Sequence, residues 1–450
     1  MNTAPTSPAI SFGTDGIRGH ADSFPFDNYT LRRIGYATAL WAIEKYAVAQ
    51  PRILLGMDTR VSGCRIKAAL IEGLVQGGAL AVDGGVLPTP AVCNLIHYDE
   101  RFHAGVVISA SHNPYFDNGI KVFDARRCKL LPRDEERLLN VMNACRHEEN
   151  LLPLGAGRAE QWEEAGAVYV RNMVERFVPR FLAGKTIVLD MANGATAGFA
   201  ETIFAQLGAR VIPLADHPTG LNINENCGAL HPASLQQAVV AAKADAGFAF
   251  DGDGDRIIAV NAQGEVKDGD DILFLLLSLP TYRAASTVVG TVMSNQGLAK
   301  VLQDMNKTFV RTAVGDKYVA AGLEEYQVLL GAEISGHVIL KDYLLTGDGI
   351  FVALKVLEAL ALSGNWSMLT FPKFPQKLVN VRVGQKKDLG QEPFAGLIQS
   401  YQARLRDGRL LVRYSGTEPV LRVMAEAATA TEAEMVAKEL AEQLSAALAA

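Results

Sequence analysis

The sequence predicts an α/β protein: three similar mixed α/β domains in a row, followed by a smaller α+β domain. Three observations carry this. Short β-rich runs alternate with Ala- and Leu-rich helical stretches, a rhythm that builds sheets covered by helices. The rhythm starts three times, at "RILLGMD" (52–58), at "KTIVLDMANGATAGFAETIFAQLGARVIPL" (185–214) and at "STVVGTVMSNQGLAKVLQDM" (286–305). The character changes after "FPKFPQK" (371–377), a stretch punctuated by two prolines. At 450 residues the chain is too long for one core. The expected domains are 1–155, 156–256, 257–371 and 372–450.

Each element has a local reason. "RILLGMD" is a short apolar run and reads as a strand. "RIKAALIEGLVQGG" (65–78) reads as a helix, because positions 66, 69, 70 and 74 fall on one face. "ALAVDGG" and "AGVVISA" are further strands. Residues 185–214 read as strand, Gly-rich turn, helix, Gly, strand, which is a βαβ unit. "LLPLGAGR" (151–158) reads as a linker. Beyond residue 377, "KLVNVRV" and "GRLLVRYSGTEPVLRVMAEA" precede a polar helix that runs to Ala450. Self-similarity among the three starts is faint.

Composition excludes several function classes. Lys and Arg number 43 against 49 Asp and Glu, a net charge of −6. That lacks the basic field of a nucleic-acid binder. The five cysteines, Cys64, Cys93, Cys128, Cys145 and Cys227, are odd in number, widely spaced and without C-x-x-C. This argues against a disulfide framework and a zinc cage, and suits a reducing cytosol. The N-terminus lacks the charged and apolar regions of a signal peptide. The longest strongly apolar run, around Ile272 to Pro280, falls far short of the roughly 20 residues of a membrane span. A cytoplasmic protein without nucleic-acid or membrane partners is expected.

Four stretches carry chemistry. In "AGFAFDGDGDRIIAV" (246–260), an apolar strand ends in Asp251, Asp253 and Asp255 with glycines between them. The glycines let the backbone curl so that three carboxylates face one point. Such a cluster asks for a hard cation with oxygen ligands, Mg²⁺ or Ca²⁺. An EF-hand is excluded, because Arg256 and Ala262 stand where Gly and Glu are required. The bland alternative is a solvated Asp-Gly turn. In "VRYSGTEPVLRVM" (412–424), Ser415, Gly416 and Thr417 form a tight loop flanked by Arg413 and Arg422. That is a candidate phosphate nest, or else an ordinary hairpin turn. In "GAEISGHVIL" (331–340), Glu333, Ser335 and His337 recur at period two, so an extended segment would project them to one side. "SFGTDGIRGHA" (11–21) places Arg18 in a Gly-rich loop, where it is suited to a phosphate. "AGKT" (183–186) is not a Walker A loop, because Pro179 replaces the required Gly, and no G-x-G-x-x-G opens a helix after a strand.

"VVISASHNPYFDNGIKVF" (106–123) sets Ser111 beside His112. A hydrolase pair is a poor reading, since adjacent side chains diverge on an extended segment and G-x-S-x-G is absent. A helix or turn cap is one alternative. A phosphorylated Ser111 is another; it would need a divalent cation, cationic partners such as Lys121, and a second phosphate site.

Together these stretches resemble the α-D-phosphohexomutases, in that family's order and spacing along the whole chain. "ISASHNPYFDNGIKVF" is similar to its phosphoserine loop, "DGDGDR" to its metal loop, "EISGH" to its sugar loop and "RYSGTEPVLR" to its distal phosphate loop. "FGTDGIRG", "MSNQGLAK", "VGDKYV", "TGDGI" and "SGTEP" are most similar to the bacterial branch acting on glucosamine phosphates. The resemblance implies three α/β domains and a TATA-binding-protein-like α+β domain around a central cleft. It implies interconversion of glucosamine 6-phosphate and glucosamine 1-phosphate through a 1,6-bisphosphate; a phosphomannomutase or phosphoglucomutase is the alternative. Ser111 would be the phosphoserine, holding one Mg²⁺ together with Asp251, Asp253 and Asp255. Arg256 would lie on the transferring phosphate, and Glu333 and Ser335 on sugar hydroxyls. Arg413, Ser415, Gly416, Thr417 and Arg422 would hold the other phosphate. Arg18, Lys121 and His337 would supply acid–base and charge roles. Relatives of this branch are often homodimers through the first domain, which is the expectation here. A Mg²⁺-dependent phosphatase or a phosphosugar-binding module are the rivals from other classes. The first needs no second phosphate grip; the second has no use for three metal aspartates beside a nucleophile.

Overall fold

A computed structural model describes residues 10–13, 16–145, 157–415 and 419–449. By their contacts the residues group into two units, 1–291 with 312–369, and 292–311 with 370–450.

The first unit holds three sheets. The first is built from β1 (Ile17–His20), β2 (Arg52–Met57), β3 (Leu80–Val86), β4 (Ala104–Ile108), β5 (Asp117–Asp124) and β6 (Arg158–Gln161), in the order β1-β5-β4-β2-β3-β6. Its middle is parallel, and β5 returns antiparallel to β4. Helices α1 (Asn28–Tyr46), α2 (Gly63–Gln76), α3 (Thr89–Tyr98) and α4 (Pro132–Ala144) accompany it. Asp27 caps α1 by accepting from Thr30 N at 2.9 Å. The buried face of α2 includes Ile66, Ala69, Leu70 and Leu74, as the spacing predicts. Glycine lets α2 come close to α1: a Cβ on Gly73 would stand 2.0 Å from the Arg32 carbonyl. Of "LLPLGAGR", residues 151–156 lie outside the described residues. Its Arg158 opens β6, parallel to β3, so the end of that stretch is sheet rather than linker.

The second sheet runs β11-β10-β9-β7-β8, with β7 (Thr186–Asp190), β8 (Arg210–Leu214), β9 (Ala246–Phe250), β10 (Ile257–Asn261) and β11 (Val266–Lys267). Helices α5 (Ala165–Val174), α6 (Ala200–Gln206) and α7 (Ala233–Ala242) belong to this stretch. In the third sheet β14 (Leu330–Ala332) lies between β12 (Thr287–Thr291), parallel to it, and β15 (Val338–Leu340), antiparallel. Around it run α8 (Gly269–Leu276), α9 (Pro280–Arg283), α11 (Asp316–Glu325) and α12 (Gly349–Ser363).

By contact the second unit comprises residues 292–311, which hold α10 (Gln296–Asp304) and all but the last residue of β13 (Thr308–Thr312), and the C-terminal residues; by hydrogen bonding β13 is the edge strand of the sheet β13-β12-β14-β15. Its sheet, β16-β18-β17, is antiparallel and formed by β16 (Gln376–Arg382), β17 (Arg409–Tyr414) and β18 (Val420–Glu426). Helices α13 (Phe394–Arg404) and α14 (Ala430–Ala449) complete the α+β character. Leu421 and Val423 pack with Val436, Leu440 and Leu444 in its core. Residues 292–311 also make specific bonds to the C-terminal residues. The buried Glu426 accepts from Arg409 Nε at 2.5 Å and from Gln296 N at 3.2 Å.

One regularity positions the chemistry. In all four sheets the motif-bearing loop joins two neighbouring antiparallel strands: β4 to β5, β9 to β10, β14 to β15, and β17 to β18. Among the described residues no helix is long and apolar enough to cross a membrane.

Asp348 caps α12 from the "TGDGI" loop. It accepts from Phe351 N at 3.0 Å and from the hydroxyls of Tyr169 and Tyr343, each at 3.1 Å. Burial raises its pKa to about 6, against the pull of these donors. The folded value exceeds the unfolded carboxylate value of about 4, so folding takes up a proton in that window. Stability therefore falls as pH rises from about 4 to about 6, by at most about 3 kcal/mol. Asp348→Asn keeps the cap and removes the charge. Urea titrations should show the variant gaining on the wild type across that window, and a pH-independent difference would refute the assignment.

Candidate active site

Ser111 sits in the β4–β5 loop with φ +54°, a left-handed conformation that serine rarely adopts. Its Oγ donates to Asp251 Oδ2 at 2.5 Å. His112 is the weaker neighbour, its Nδ1 3.4 Å from the same oxygen. Burial, then Arg256 and Arg18, push the His112 pKa down to about 4. The ring is thus neutral near pH 7 and a weaker base than an ordinary histidine. The same two guanidiniums, Arg18 from β1 and Arg256 from the β9–β10 loop, make the surroundings cationic.

Asp251, Asp253 and Asp255 are all buried on the β9–β10 loop. One oxygen from each lies within 4.8 Å of the others. Lys121, on β5, sets its Nζ 2.9 Å from Asp253 Oδ2 and 3.1 Å from Asp255 Oδ2. Thr89 Oγ1 donates to Asp253 Oδ2 at 2.5 Å, and Arg256 N to Asp251 Oδ1 at 3.1 Å. Asp253 Oδ1 and Asp255 Oδ1 are buried and accept no hydrogen bond. Burial, then Asp255 and Asp253, raise the Asp251 pKa to about 7. Burial also works against ionisation of Asp255, but Lys121, then His337 and Arg256, outweigh it and hold that carboxyl well below the usual range. Three close carboxylates, two of their oxygens buried without a hydrogen bond, are an all-oxygen donor set that suits a hard divalent cation such as Mg²⁺.

The sugar-loop residues are arranged differently from the expectation. Residues 333–337 form a turn, not an extended segment: Gly336 N donates to Glu333 O at 3.0 Å, and Glu333 N to His337 O at 2.9 Å. Gly336 has φ +90°, and a Cβ there would stand 2.0 Å from the Ile257 carbonyl. Glycine is therefore required, and the turn seats against the start of β10. Glu333 Oε1 accepts from Gly315 N at 2.8 Å, while Ser335 is half-buried on the same turn. His337 is buried, with Nδ1 3.7 Å from Asp255 Oδ1 and Nε2 3.8 Å from Asp316 Oδ2. Gly347 N donates to Nε2 at 3.1 Å, which places the neutral ring's proton on Nδ1, facing Asp255. Burial opposes charging this ring, but Asp255 and Asp316 outweigh it and raise its pKa. Asp316 is ion-paired with Lys129. Burial opposes its ionisation too; Lys129 and His337 prevail and bring its pKa to about 2.

In the second unit, Arg413 and Arg422 stand directly opposite on β17 and β18. Like charges so placed repel. Burial, then Arg422, lower the Arg413 pKa, the mark of a pair suited to an anion. Ser415 is buried; its N–H donates to Val420 O at 2.8 Å, and its carbonyl accepts from Lys386 Nζ at 3.0 Å. Gly416 and Thr417, expected in this grip, lie outside the described residues.

The structure thus gathers Ser111, the aspartates, Lys121 and His337 into one cluster, with Arg18 and Arg256 close enough to act on His112. Sequence reasoning missed Thr89, Lys129, Asp316 and Lys386. Each belongs to no local pattern, although "VGDKYV" contains Asp316.

Sequence profiles of the phosphoglucomutase/phosphomannomutase family match the chain in four consecutive parts. Its α/β/α domain I matches residues 9–149, domain II 167–264, domain III 268–372 and the C-terminal domain 378–443. The chain belongs to the phosphoglucomutase/phosphomannomutase family. The phosphoglucosamine mutase of Methylobacillus flagellatus is 41% identical over 96% of this chain and 97% of its own length. That of Acinetobacter baylyi is 41% identical over 96% and 98%. A crystal structure of a phosphoglucomutase/phosphomannomutase family protein from Burkholderia thailandensis superposes with a TM-score of 0.78, at 24% identity, over 96% of this chain and 97% of that one. As a member of the family the protein is an isomerase of the mutase type acting on small sugar phosphates, and its buried aspartate triad can hold a divalent ion.

Proposed function

We propose that the protein interconverts glucosamine 6-phosphate and glucosamine 1-phosphate, as a phosphoglucosamine mutase, through phosphorylated Ser111 and a 1,6-bisphosphate. The observation that carries the mechanism is the 2.5 Å bond from Ser111 Oγ into the aspartate cluster. The named relatives support the substrate. A cytoplasmic setting fits five free cysteines.

In this reading phospho-Ser111 passes its phosphoryl to a sugar hydroxyl: the Oγ–P bond breaks as the sugar O–P bond forms. Asp251, Asp253 and Asp255, with phosphorylated Ser111, would hold Mg²⁺, which would supply charge neutralisation for the transfer. Lys121 offsets Asp253 and Asp255, while Arg18 and Arg256 face the phosphate; phosphoryl transfer is mostly positioning and charge stabilisation of this kind. His337, beside Asp255 and Asp316, supplies an acid–base or charge role near the transfer. Glu333 and Ser335 orient the sugar. Arg413, Ser415, Gly416, Thr417 and Arg422 hold the phosphate that is not transferred.

A hydrogen bond to a charged group contributes about 1.5–3 kcal/mol. If the distal grip binds ground and transition states alike, Arg413→Ala should raise KM about 10- to 150-fold with kcat nearly unchanged. A variant with normal KM would remove Arg413 from the site. The substrate is tested by comparing kcat/KM on glucosamine, glucose and mannose phosphates. Preference for glucosamine phosphate is expected; equal efficiencies would instead favour the phosphoglucomutase/phosphomannomutase alternative.

A further inference from the structure

Beneath the serine loop lies a second group of residues, none of them among those expected to act. Arg60, in the loop after β2, is 2% exposed. Its Nη2 donates to the Ser111 carbonyl at 3.2 Å and to the Asn113 carbonyl at 2.5 Å. Asn224, from the loop between β8 and α7, donates through Nδ2 to the same two carbonyls, at 2.9 and 3.1 Å. On the other side, Ser109 Oγ accepts from Ser111 N at 2.9 Å and donates to Asp58 Oδ2 at 2.6 Å. Asp58 closes the ring by pairing with Arg60.

This arrangement differs from ordinary packing. A fully buried ion pair is an expensive way to fill space, and apolar residues of similar volume often serve as well or better. Here it is spent on one peptide. Both backbone polar groups of Ser111 are held, and Ser111 is the residue with the unfavourable left-handed φ. The donors come from two loops far apart in sequence, one after β2 and one after β8, so they over-determine a conformation that serine would otherwise leave. With its backbone pinned, rotation about χ1 is the freedom left to the side chain, and the rotamer present reaches Asp251.

We infer that Asp58, Arg60, Ser109 and Asn224 form a positioning clamp, which keeps Ser111 left-handed and its Oγ aimed at the aspartate cluster in both the free and the phosphorylated states. The inference rests on the reading of Ser111 as phosphoryl carrier. Small misplacements of a reacting atom reduce rate on the order of 10²-fold, so the clamp governs the transfer rate rather than substrate affinity.

Asn224 is the member to vary. It is half-buried and has φ +59°, a conformation that glycine and aspartate tolerate. Asn224→Gly removes one of two donors without strain; Asn224→Asp turns it into a repelling acceptor. Wild type and variants are primed with glucosamine 1,6-bisphosphate. Transfer of the Ser111 phosphoryl to glucosamine 6-phosphate is then followed by rapid quench, beside substrate affinity and the thermal midpoint. Transfer should slow about tenfold in N224G and further in N224D, with affinity within about threefold and the midpoint within a few degrees. Transfer within twofold of wild type in both variants, or losses that merely follow unfolding, would overturn the clamp. If instead no phosphate maps to Ser111 in the wild type, the carrier reading itself fails. If it maps there and both variants transfer normally, only the clamp fails.

Discussion

Ser111→Ala should lower kcat/KM on glucosamine phosphates on the order of 10⁴-fold or more, with the fold intact. Removing a nucleophile that forms a covalent intermediate leaves no alternative route of similar rate. Thr89 also donates a hydroxyl to the triad, but from the first turn of α3 rather than from the serine loop. Ser109 is the nearest rival in sequence, but its Oγ already donates to Asp58 and accepts from Ser111 N. Its hydroxyl proton is committed to Asp58 rather than to the triad. Ser109→Ala should therefore cost far less activity and leave the phosphate on Ser111. The fold survives S111A because alanine meets the same left-handed φ as serine, and the bonds that hold this peptide use its backbone. Wild-type thermal midpoints with residual activity above about 1% in S111A would show that the serine is not the carrier.

The second large effect is Asp253→Asn, in which activity and apo stability should move in opposite directions. Asp253 is 0% exposed and faces two like charges, with Lys121 and Thr89 on one oxygen and nothing on the other. Without a cation the three buried carboxylates repel one another despite Lys121 and Arg256, and burial, then Asp255 and Asp253, raise the Asp251 pKa to about 7. Asparagine removes one of those charges and keeps the volume. In chelator the variant should unfold at or above the wild-type temperature. Added Mg²⁺ then separates them. A ligand at 100 times its Kd stabilises the folded state by about 2.7 kcal/mol, and the wild type should rise by that order while D253N gains little. Activity should fall about 10³-fold, a loss of about 4 kcal/mol of transition-state stabilisation. Equal responses to Mg²⁺ in the two proteins would take the metal away from this triad.

What the sequence made legible was local. "DGDGDR" shows its chemistry because three carboxylates and two glycines in a row have few structural uses, and the structure puts all three aspartates on one loop. The alternation of apolar runs and helical stretches gave the sheets, and the face of α2 matched residue for residue. Other information was not local. The equivalence of the motif loops is topological: each joins two antiparallel neighbours, a property of strand pairing that faintly similar sequences do not display. Thr89, Asp316, Arg60 and Asn224 reach the site across the fold, and each looks like an ordinary loop or helix-end residue where it stands. The "EISGH" stretch misled because period two means one face only if the backbone is extended, and Gly336 turns it instead. The grouping of residues 292–311 with the C-terminal unit rests on Arg409 and Glu426, whose partners lie more than a hundred residues away in sequence.

The central claim is that a phosphoryl group travels on Ser111. Intact mass and peptide mapping of the purified protein, before and after adding glucosamine 6-phosphate, test it most directly. The account predicts a population heavier by one phosphate, mapped to Ser111, that disappears as the sugar is converted. A phosphate mapped to Ser109, or one on Ser111 that persists through turnover, would contradict it.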